Sequence, residues 1–482
     1  MNRRTVQITA VACGLVLLSG CASRLDRAEI IAVQQGAPVT QGSEATAVTG
    51  ATGPSPTGTV PAGTTDTGVA TAPGTATTTG TTGTTPAAAT STAAPASGTK
   101  PKPGAVTATA GGLPNHLPIK VGFVGSITGL YGTSFRPLLN AIQANLTDLN
   151  ARGGINGHPV QLIVADDGGD PATYLAQLRR MVEGDKVLAF VGNTHAASLS
   201  QAAIQYVESR NIPILDGDDS HLLAPTSRMI FGFGASGIAL NGTEFAAARD
   251  LLGKGKKVGF ISCQEVQQCS DYATTFPDFS AKAGFTPVFA GRASLTAPDF
   301  TANCLQARNA GAEVLFLRID INSVKRIARD CSRQGYKPAY VTAPVLTDPS
   351  SPSNPAMDRL ITPSQQFPFI NDSLPEEKRF RETLLKSMPL DQIFAAHAQG
   401  WNVADIFAEA VKRAIAPDAT PSTALILKGL WSFKNETLGG TSQPLTYVQG
   451  KPPAHVNNMC SFPMQIIGGK WTAPKGNKAS CL

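Results

Sequence analysis

Residues 119–124 have the sequence IKVGFV, and residues 160–164 have the sequence VQLIV. Both runs are apolar and nearly continuous, which is typical of strands buried on both faces of a parallel sheet. Between them, apolar side chains recur at helical spacing over residues 134–151, and Gly153-Gly154 ends that helix. A strand, a helix and a second strand in this order predict a parallel α/β unit.

The alternation of strands and helices continues along the chain and begins again near residue 238. Further strands are predicted at 187–191, 212–215, 257–261, 287–290, 314–317 and 339–341, and further helices at 172–183, 197–209, 238–252, 270–283, 299–310 and 322–334. Two successive units of this length exceed what one core usually holds, so we expect two lobes. Open parallel sheets bind ligands beyond the carboxyl ends of their strands, which predicts one shared cleft.

The N-terminus has the features of an export signal. Arg3 and Arg4 precede an apolar stretch, and Leu-Ser-Gly-Cys follows, ending at Cys21. This tetrapeptide resembles the lipobox of bacterial lipoproteins, in which the cysteine sulfur takes a diacylglycerol. We expect residues 1–20 to be a signal peptide. A lipidated Cys21, with palmitate among its acyl groups, would anchor the chain to the extracytoplasmic face of the cell membrane. The alternative is an ordinary secretory signal with an incidental cysteine.

Residues 21–116 are predicted to be a disordered tether behind the anchor. From about residue 35 to residue 112 the chain consists mainly of Thr, Gly, Ala, Pro and Ser with almost no charge. Such a segment buries too little apolar surface to offset the entropy of ordering. Its threonine and proline content also suits O-glycosylation, and a plain unmodified linker is the alternative.

The cysteines of the globular region predict disulfides. Six remain after the signal region, and an even number in an exported chain favours disulfide bonds. No Cys-x-x-Cys or mixed Cys/His cluster at zinc-ligand spacing competes with that interpretation. Six cysteines can pair in fifteen ways. Proximity along the chain favours Cys263–Cys269, Cys304–Cys331 and Cys460–Cys481.

Charge and motifs exclude several functional classes. The formal net charge is +6 with scattered basic residues, which argues against nucleic-acid binding. Asp166, Asp167 and Asp170 lack the glycine turn and the terminal glutamate of a calcium loop, so a strand end plus a helix cap is favoured. No Gly-x-Ser-x-Gly elbow is present. We therefore expect no metal, no cofactor and no enzymatic activity.

Five segments carry a resemblance to a known family. The most specific is the glycine-rich turn NARGGING within residues 149–167. Together these segments resemble the branched-chain amino-acid-binding family of type I periplasmic solute-binding proteins. The segments lie at 119–132, 149–167, 187–192, 210–215 and 400–414.

The resemblance implies an α/β fold of two doubly wound parallel-sheet lobes joined by a three-strand hinge. Lobe 1 would comprise residues 117–236 with 348–436, and lobe 2 residues 237–347 with 437–482. A protein of this kind is a monomer that captures a small polar solute, such as an amino acid or amide, and delivers it to an ABC-type permease in the membrane. The alternative is a sensor or envelope interaction protein of the same fold that does not transport.

The resemblance places two loops of the first lobe against the solute. The first loop differs from the family pattern because alanine stands where a serine is expected. The second carries three acids, which favour a cation or accept hydrogen bonds from hydroxyls and amides and argue against leucine, isoleucine or valine. Alternatively, Asp218 and Asp219 cap the next helix and point to solvent. The candidate residues of these loops are Asn193, Thr194, His195, Ala197, Ser198, Asp216, Asp218 and Asp219. A lone histidine such as His195 is more often a hydrogen-bonding residue than a catalytic one.

The remaining candidates come from other loops at the cleft. Tyr131 matches an aromatic that packs over the ligand. Glu265 and Gln267 lie in a loop that a Cys263–Cys269 bond would pre-organise. Arg318 and Asp320 end a strand, where they form either a ligand clamp or a cross-cleft salt bridge.

Overall fold

The computed structural model describes residues 116–129, 132–194, 198–218, 220–265 and 267–482. The expected signal peptide, the lipidation site Cys21 and the tether up to residue 115 lie outside the described residues. The same holds for Tyr131, His195, Ala197 and Asp219 and for the side chain of Gln267. Within the described part of the chain, no helix is long and apolar enough to cross a membrane.

The first sheet is parallel throughout. Its strands lie in the order β2-β1-β3-β4-β5, and each pair in that order is parallel. Helices α1, α2 and α3 follow β1, β2 and β3, as the alternation predicted. The strands are β1 Ile119–Gly125, β2 Val160–Asp166, β3 Ala189–Asn193, β4 Ile214–Asp216 and β5 Ile230–Phe231, and the helices are α1 Gly132–Ala151, α2 Pro171–Arg179 and α3 Gln201–Arg210.

The start of α2 shows how local sequence sets these boundaries. Asp170 has an extended backbone, and its carboxylate accepts a hydrogen bond from the Thr173 N–H at 2.7 Å. Pro171 occupies the first helical position, where the missing N–H costs nothing. The predicted helix cap at Asp170 is therefore confirmed.

The second sheet is larger and mixed. The strand order is β12-β11-β10-β9-β8-β6-β7, and β13 pairs with β11. Strands β6 to β10 pair in parallel, whereas β11 runs antiparallel to β10, β12 and β13. The elements are α4 Leu240–Leu252, β6 Lys257–Cys263, α5 Gln267–Ala283, β7 Thr286–Ala293, α6 Thr301–Asn309, β8 Val314–Arg318, α7 Ile321–Arg333, β9 Ala339–Thr342, β10 Ile361–Ser364, β11 Cys460–Ile467, β12 Lys470–Thr472 and β13 Ser480–Cys481.

Three later helices return to the first sheet. They are α8 Pro375–Leu384, α9 Ala395–Ala414 and α10 Thr423–Trp431. Helix α9 lies directly on α1, so closely that a Cβ added at Gly400 would stand 2.1 Å from the carbonyl oxygen of Leu138. Val403 and Phe407 join the apolar core beneath the first sheet, and Trp401 is completely buried. The first lobe is therefore built from two separate parts of the chain.

Three segments connect the lobes and contact one another. The segment after β5 bonds to the segment after β10, because the Ala235 N–H donates to Gln365 Oε1 at 2.5 Å. The latter segment bonds to the third, because the Phe367 N–H donates to the Thr441 carbonyl at 3.0 Å. The third segment also contacts the first, because His455 Nδ1 accepts a hydrogen bond from the Gly232 N–H at 3.2 Å. The predicted α/β architecture of two lobes joined by three connecting segments is thus present, although the second sheet is mixed rather than parallel throughout.

One predicted lobe boundary needs correction. Residues 348–436 were assigned to lobe 1, but β10 within that range pairs with β9 and β11 of the second sheet. The chain therefore crosses to the first lobe after Ser364. The sequence missed this because β10 is short and carries a proline. The predicted boundary at residue 437 needs correction too, because Leu445, Tyr447 and Ala454 lie in the apolar core of the first lobe. The chain therefore enters the second lobe only with the approach to β11. The other lobe boundaries stay predictions.

Three disulfides are present with the pairing that chain proximity favoured. Cys263–Cys269 joins the end of β6 to the first turn of α5. Cys304–Cys331 joins α6 to α7, and Cys460–Cys481 joins β11 to β13. All three therefore lie in the second lobe.

Candidate functional site

Asp167 organises the carboxyl end of the first sheet. Its Oδ1 accepts hydrogen bonds from Ser126 Oγ at 2.8 Å and from the Gly169 N–H at 2.7 Å. Its Oδ2 accepts one from Ser198 Oγ at 2.8 Å. Burial raises the pKa of Asp167, although these hydrogen bonds oppose the increase. The Asp167 carboxylate thus links its own loop after β2 to the loops after β1 and β3. The candidate residue Ser198 is one of its hydrogen-bond donors.

Asn193 and Thr194 are buried at the end of β3 rather than exposed to a cleft. Asn193 Oδ1 accepts the Val124 N–H at 3.0 Å, and Asn193 Nδ2 donates to the Tyr174 hydroxyl at 3.1 Å. The preceding Gly192 has a φ of +73°, and a Cβ there would stand 2.1 Å from Ile142 Cδ1. Only glycine fits this turn, which accounts for the glycine at this position.

Asp216 and Asp218 shape the loop after β4. The Asp218 N–H donates to Asp216 Oδ1 at 2.9 Å, and Ser220 Oγ donates to Asp218 Oδ1 at 2.5 Å. Burial, together with the nearby charge of Asp218, raises the pKa of Asp216 well above its usual range. Asp218 is only 2% exposed, so the alternative in which it caps a helix and points to solvent is wrong.

Arg318 lies at the carboxyl end of the second sheet, but its partners are in its own lobe. Its guanidinium is 3.0 Å from Glu244 and donates to Asn241 at 3.1 Å, both on α4. The Tyr272 ring lies 4.2 Å from the guanidinium carbon. Of the two alternatives predicted for Arg318, the cross-cleft salt bridge is therefore wrong, whereas the ligand clamp stays a prediction. Asp320 does not share this network, because its carboxylate caps α7 by accepting the Asn322 N–H at 2.9 Å.

Glu265 is the exposed candidate of the second lobe. Its carboxylate accepts hydrogen bonds from Ser294 Oγ and from the Leu295 N–H, both at 2.7 Å. Slight burial acts to raise the pKa of Glu265, but these hydrogen bonds act to lower it, and the net effect is a lowered pKa. The side chain is therefore an anion held in place at the end of β6.

The two sheet edges meet at a contact that sequence reasoning did not identify. The Ser220 carbonyl of the first lobe accepts hydrogen bonds from Gln268 Nε2 and, at 3.1 Å, from the Tyr272 hydroxyl. Gln268 and Tyr272 are four residues apart on α5 and so share one helix face. The available signal was their position within and just after the predicted Cys263–Cys269 loop, since Gln268 precedes Cys269 and Tyr272 follows it.

A surface depression of about 460 Å³ borders the same edge of the first lobe. It lies at the start of α1, where Gly129 and Gly132 contribute to its lining. Thr128, Thr133, Asn140 and Arg136 give it a polar lining, and Arg136 donates to the Ile127 carbonyl at 3.3 Å. Within the described ranges, no group of three or more His, Cys, Asp or Glu residues is arranged to hold a metal ion.

A sequence model for the family described as periplasmic binding protein matches residues 118–470. The chain belongs to the periplasmic binding protein family. This confirms the resemblance drawn from the glycine-rich turn and the strand segments. It also agrees with the two-lobed fold.

The sequence identity to individual relatives is low. An amino acid binding protein from Pseudomonas aeruginosa is 27% identical over 214 residues, which cover 42% of this chain and 55% of that protein. The chain thus spans about half the length of this curated relative.

Solved structures show the same fold at low identity. A leucine-binding protein from Thermotoga maritima has a TM-score of 0.59 at 17% identity, covering 75% of this chain and 99% of that one. A fatty acid ABC transporter substrate-binding protein from Thermomonospora curvata has a TM-score of 0.58 at 18% identity, covering 76% and 93%. A solute-binding protein of Rhodopseudomonas palustris in complex with p-hydroxybenzoic acid has a TM-score of 0.57 at 19% identity, covering 73% and 94%. At these identities the likeness shows the fold alone.

Proposed function

We propose that this protein is the solute-binding receptor of an ABC-type importer and captures a small polar solute between its lobes. The contact of Ser220 with Gln268 and Tyr272 carries the proposal. It shows the carboxyl ends of both parallel sheets meeting, and these are the edges at which open α/β sheets bind ligands. A solute held by loops from both edges favours lobe closure.

Burial divides the candidate residues into two groups. Asn193, Ser198 and Asp218 are committed to bonds within the first lobe, and we infer that they shape the cleft walls. Glu265 is exposed and held as an anion, so it is suited to touch a solute. We propose the same contact role for Tyr131, His195, Ala197, Asp219 and Gln267, and a supporting role for Thr194, Asp216, Arg318 and Asp320.

The named relatives narrow the solute class. These relatives are described as binding amino acids, a fatty acid and p-hydroxybenzoic acid, all of which carry a carboxyl group. The polar cleft loops of this chain favour an amino acid, amide or related compound over a fatty acid. We further propose that the receptor is a monomer anchored through Cys21 at the extracytoplasmic face of the membrane, and that no catalysis accompanies binding.

A ligand screen tests the proposal directly. We expect one class among amino acids, amides, polyamines and sugars to raise the melting temperature in a concentration-dependent way, because a ligand that binds only the folded state stabilises it. Titration calorimetry then gives the dissociation constant. Glu265→Gln should weaken binding, whereas Glu382→Gln on the exposed surface of α8 should not. If no compound moves the melting curve, the receptor function is wrong.

A further inference from the structure

The Ser220 carbonyl of the first lobe receives two hydrogen-bond donors from the second lobe. Gln268 Nε2 and the Tyr272 hydroxyl both donate to it. The half-buried Gln268 precedes Cys269, and Tyr272 is 3% exposed. Because these hydrogen bonds join protein groups directly, they stabilise the arrangement in which the two lobes touch here without any contribution from a solute.

The acceptor is rigidly presented by the first lobe. Ser220 is tied to Asp218 through its Oγ at 2.5 Å and its N–H at 3.3 Å. Gly217 is fixed on both sides, because its N–H donates to the Asn193 carbonyl at 2.8 Å and its carbonyl accepts Gln399 Nε2 at 2.9 Å. The carbonyl therefore needs no reorganisation to receive its donors.

The donors are equally well held by the second lobe. The Cys263–Cys269 bond fixes the first turn of α5 to the end of β6. The Tyr272 ring rests on the Arg318 guanidinium at 4.2 Å, and Arg318 is in turn held by Glu244 at 3.0 Å. Both sides of the contact are thus pre-organised, which reduces the entropy lost when it forms.

Tyr272 also has an alternative partner on its own side. Its hydroxyl lies 3.3 Å from the Gly237 carbonyl, at the start of the second lobe. A phenol has a single proton and serves one acceptor at a time. When the lobes separate, Tyr272 can donate to Gly237 and stay satisfied, so opening leaves no buried hydroxyl without a partner.

We propose that Ser220, Gln268 and Tyr272 form a solute-independent latch that sets the equilibrium between the open and closed cleft. This inference rests on the proposed receptor function and assigns these three residues as positioning residues of its cleft. The latch favours the closed form, and partner exchange at Tyr272 keeps it weak enough to open. The strength of the latch sets the fraction of receptor molecules in the open and in the closed conformation. Because a solute binds only the conformations that can accept it, this fraction determines the apparent affinity.

The test measures the interlobe distance without solute. Azido amino acids for fluorescence labelling would replace Arg152 in the first lobe and Arg333 in the second, whose side chains are 52% and 72% exposed. This chemistry leaves the six disulfide-bonded cysteines intact. Single-molecule energy transfer on the full chain would compare the labelled parent with Gln268→Ala and with Gln268→Ala/Tyr272→Phe. Tyr272→Phe keeps the ring on Arg318.

We expect the ratio of closed to open molecules to fall about fivefold or more in the double variant, as the loss of one to two hydrogen bonds predicts. The matched control is Gln334→Ala/Tyr336→Phe, which removes the same groups from bonds to Thr301 and Ala312 within the second lobe. That control should leave the ratio unchanged. Equal distance distributions for the parent and for both latch variants, all with the same melting temperature, would overturn the latch. Because no solute is added, this result is independent of the ligand screen, whose failure would count against the receptor function alone.

Discussion

Arg318 and Glu244 form an ion pair of 3.0 Å whose side chains are only 6% and 1% exposed. The pair links the end of β8 to α4 and supports the Tyr272 ring. A buried ion pair is expensive to desolvate, but it is more costly still to break, because removal of one partner leaves the other charge alone in the interior.

Arg318→Met should therefore destabilise the fold. We expect the free energy of unfolding to fall by about 3 kcal/mol or more. The double variant Arg318→Met/Glu244→Gln should lose less than the sum of its single substitutions, because it leaves no unpaired charge. Urea unfolding of all four proteins gives this coupling. Arg333→Met, which removes a 72% exposed side chain 3.9 Å from Asp330, is the control. An equal effect of Arg318→Met and Arg333→Met would contradict the expectation.

Glu244 should also make stability depend on pH. Burial raises its pKa to about 7, although Arg318 opposes the increase. A carboxyl group with a raised pKa in the folded state contributes stability below its unfolded pKa and loses that contribution as pH rises towards 7. The free energy of unfolding of Glu244→Gln, relative to the parent, should thus increase by about 2–3 kcal/mol between pH 5 and pH 8.

The comparison with the parent is essential, because other groups titrate in the same range. Burial lowers the pKa of His397 and of His455 to about 4, and neutral buried histidines make the fold more stable as pH rises. Asp405, whose pKa burial raises to about 7, acts in the same direction as Glu244. These contributions cancel in the difference between the two proteins. A difference that stays constant with pH would show that Glu244 does not titrate in this range.

Gly400→Ala should force α9 away from α1. The added Cβ would stand 2.1 Å from the Leu138 carbonyl oxygen. This is a backbone atom of α1, so the clash can be relieved only if the helix itself moves. We expect a loss of at least about 2 kcal/mol in the free energy of unfolding. Gly184→Ala is the matched control, because nothing lies within 4 Å of its Cβ position. Similar unfolding curves for both variants would mean that the two helices separate without cost.

The three disulfides should be reduced in a fixed order. Cys481 is exposed, whereas Cys304 and Cys331 are both 0% exposed. Because thiol–disulfide exchange requires access to sulfur, Cys460–Cys481 should open first and Cys304–Cys331 last. Timed reduction of the native protein, alkylation and peptide mass spectrometry would follow this order. Early alkylation of Cys304 would contradict it.

The sequence predicted the repetitive part of the fold well. Continuous apolar runs such as β1 and β6 and the helical spacing of α1 depend on local burial patterns, which a single sequence displays directly. The disulfide pairing was also predicted, because short separations leave few geometric alternatives. Strand β10 and the antiparallel β11 were missed, since pairing between residues about a hundred positions apart leaves no periodic signal.

The candidate site was harder to predict. The family resemblance suggested that Asn193 and Asp218 face a cleft. Both are buried instead, because their polar atoms form hydrogen bonds with neighbouring backbone and hydroxyl groups. The ion-pair partner of Arg318 could not be predicted either. Glu244 comes from the preceding helix, and nothing in the order of residues indicates that α4 packs over the end of β8.

The contact between α9 and α1 constrains the order in which the parts of the first lobe can be completed. During synthesis from the N-terminus, α1 and the first sheet are made long before α9, which begins only at Ala395. Until then the surface that later receives Gly400 and Trp401 has no cover. The first lobe is therefore finished after most of the second, and a nascent chain released early would expose an apolar face to proteases and to its neighbours.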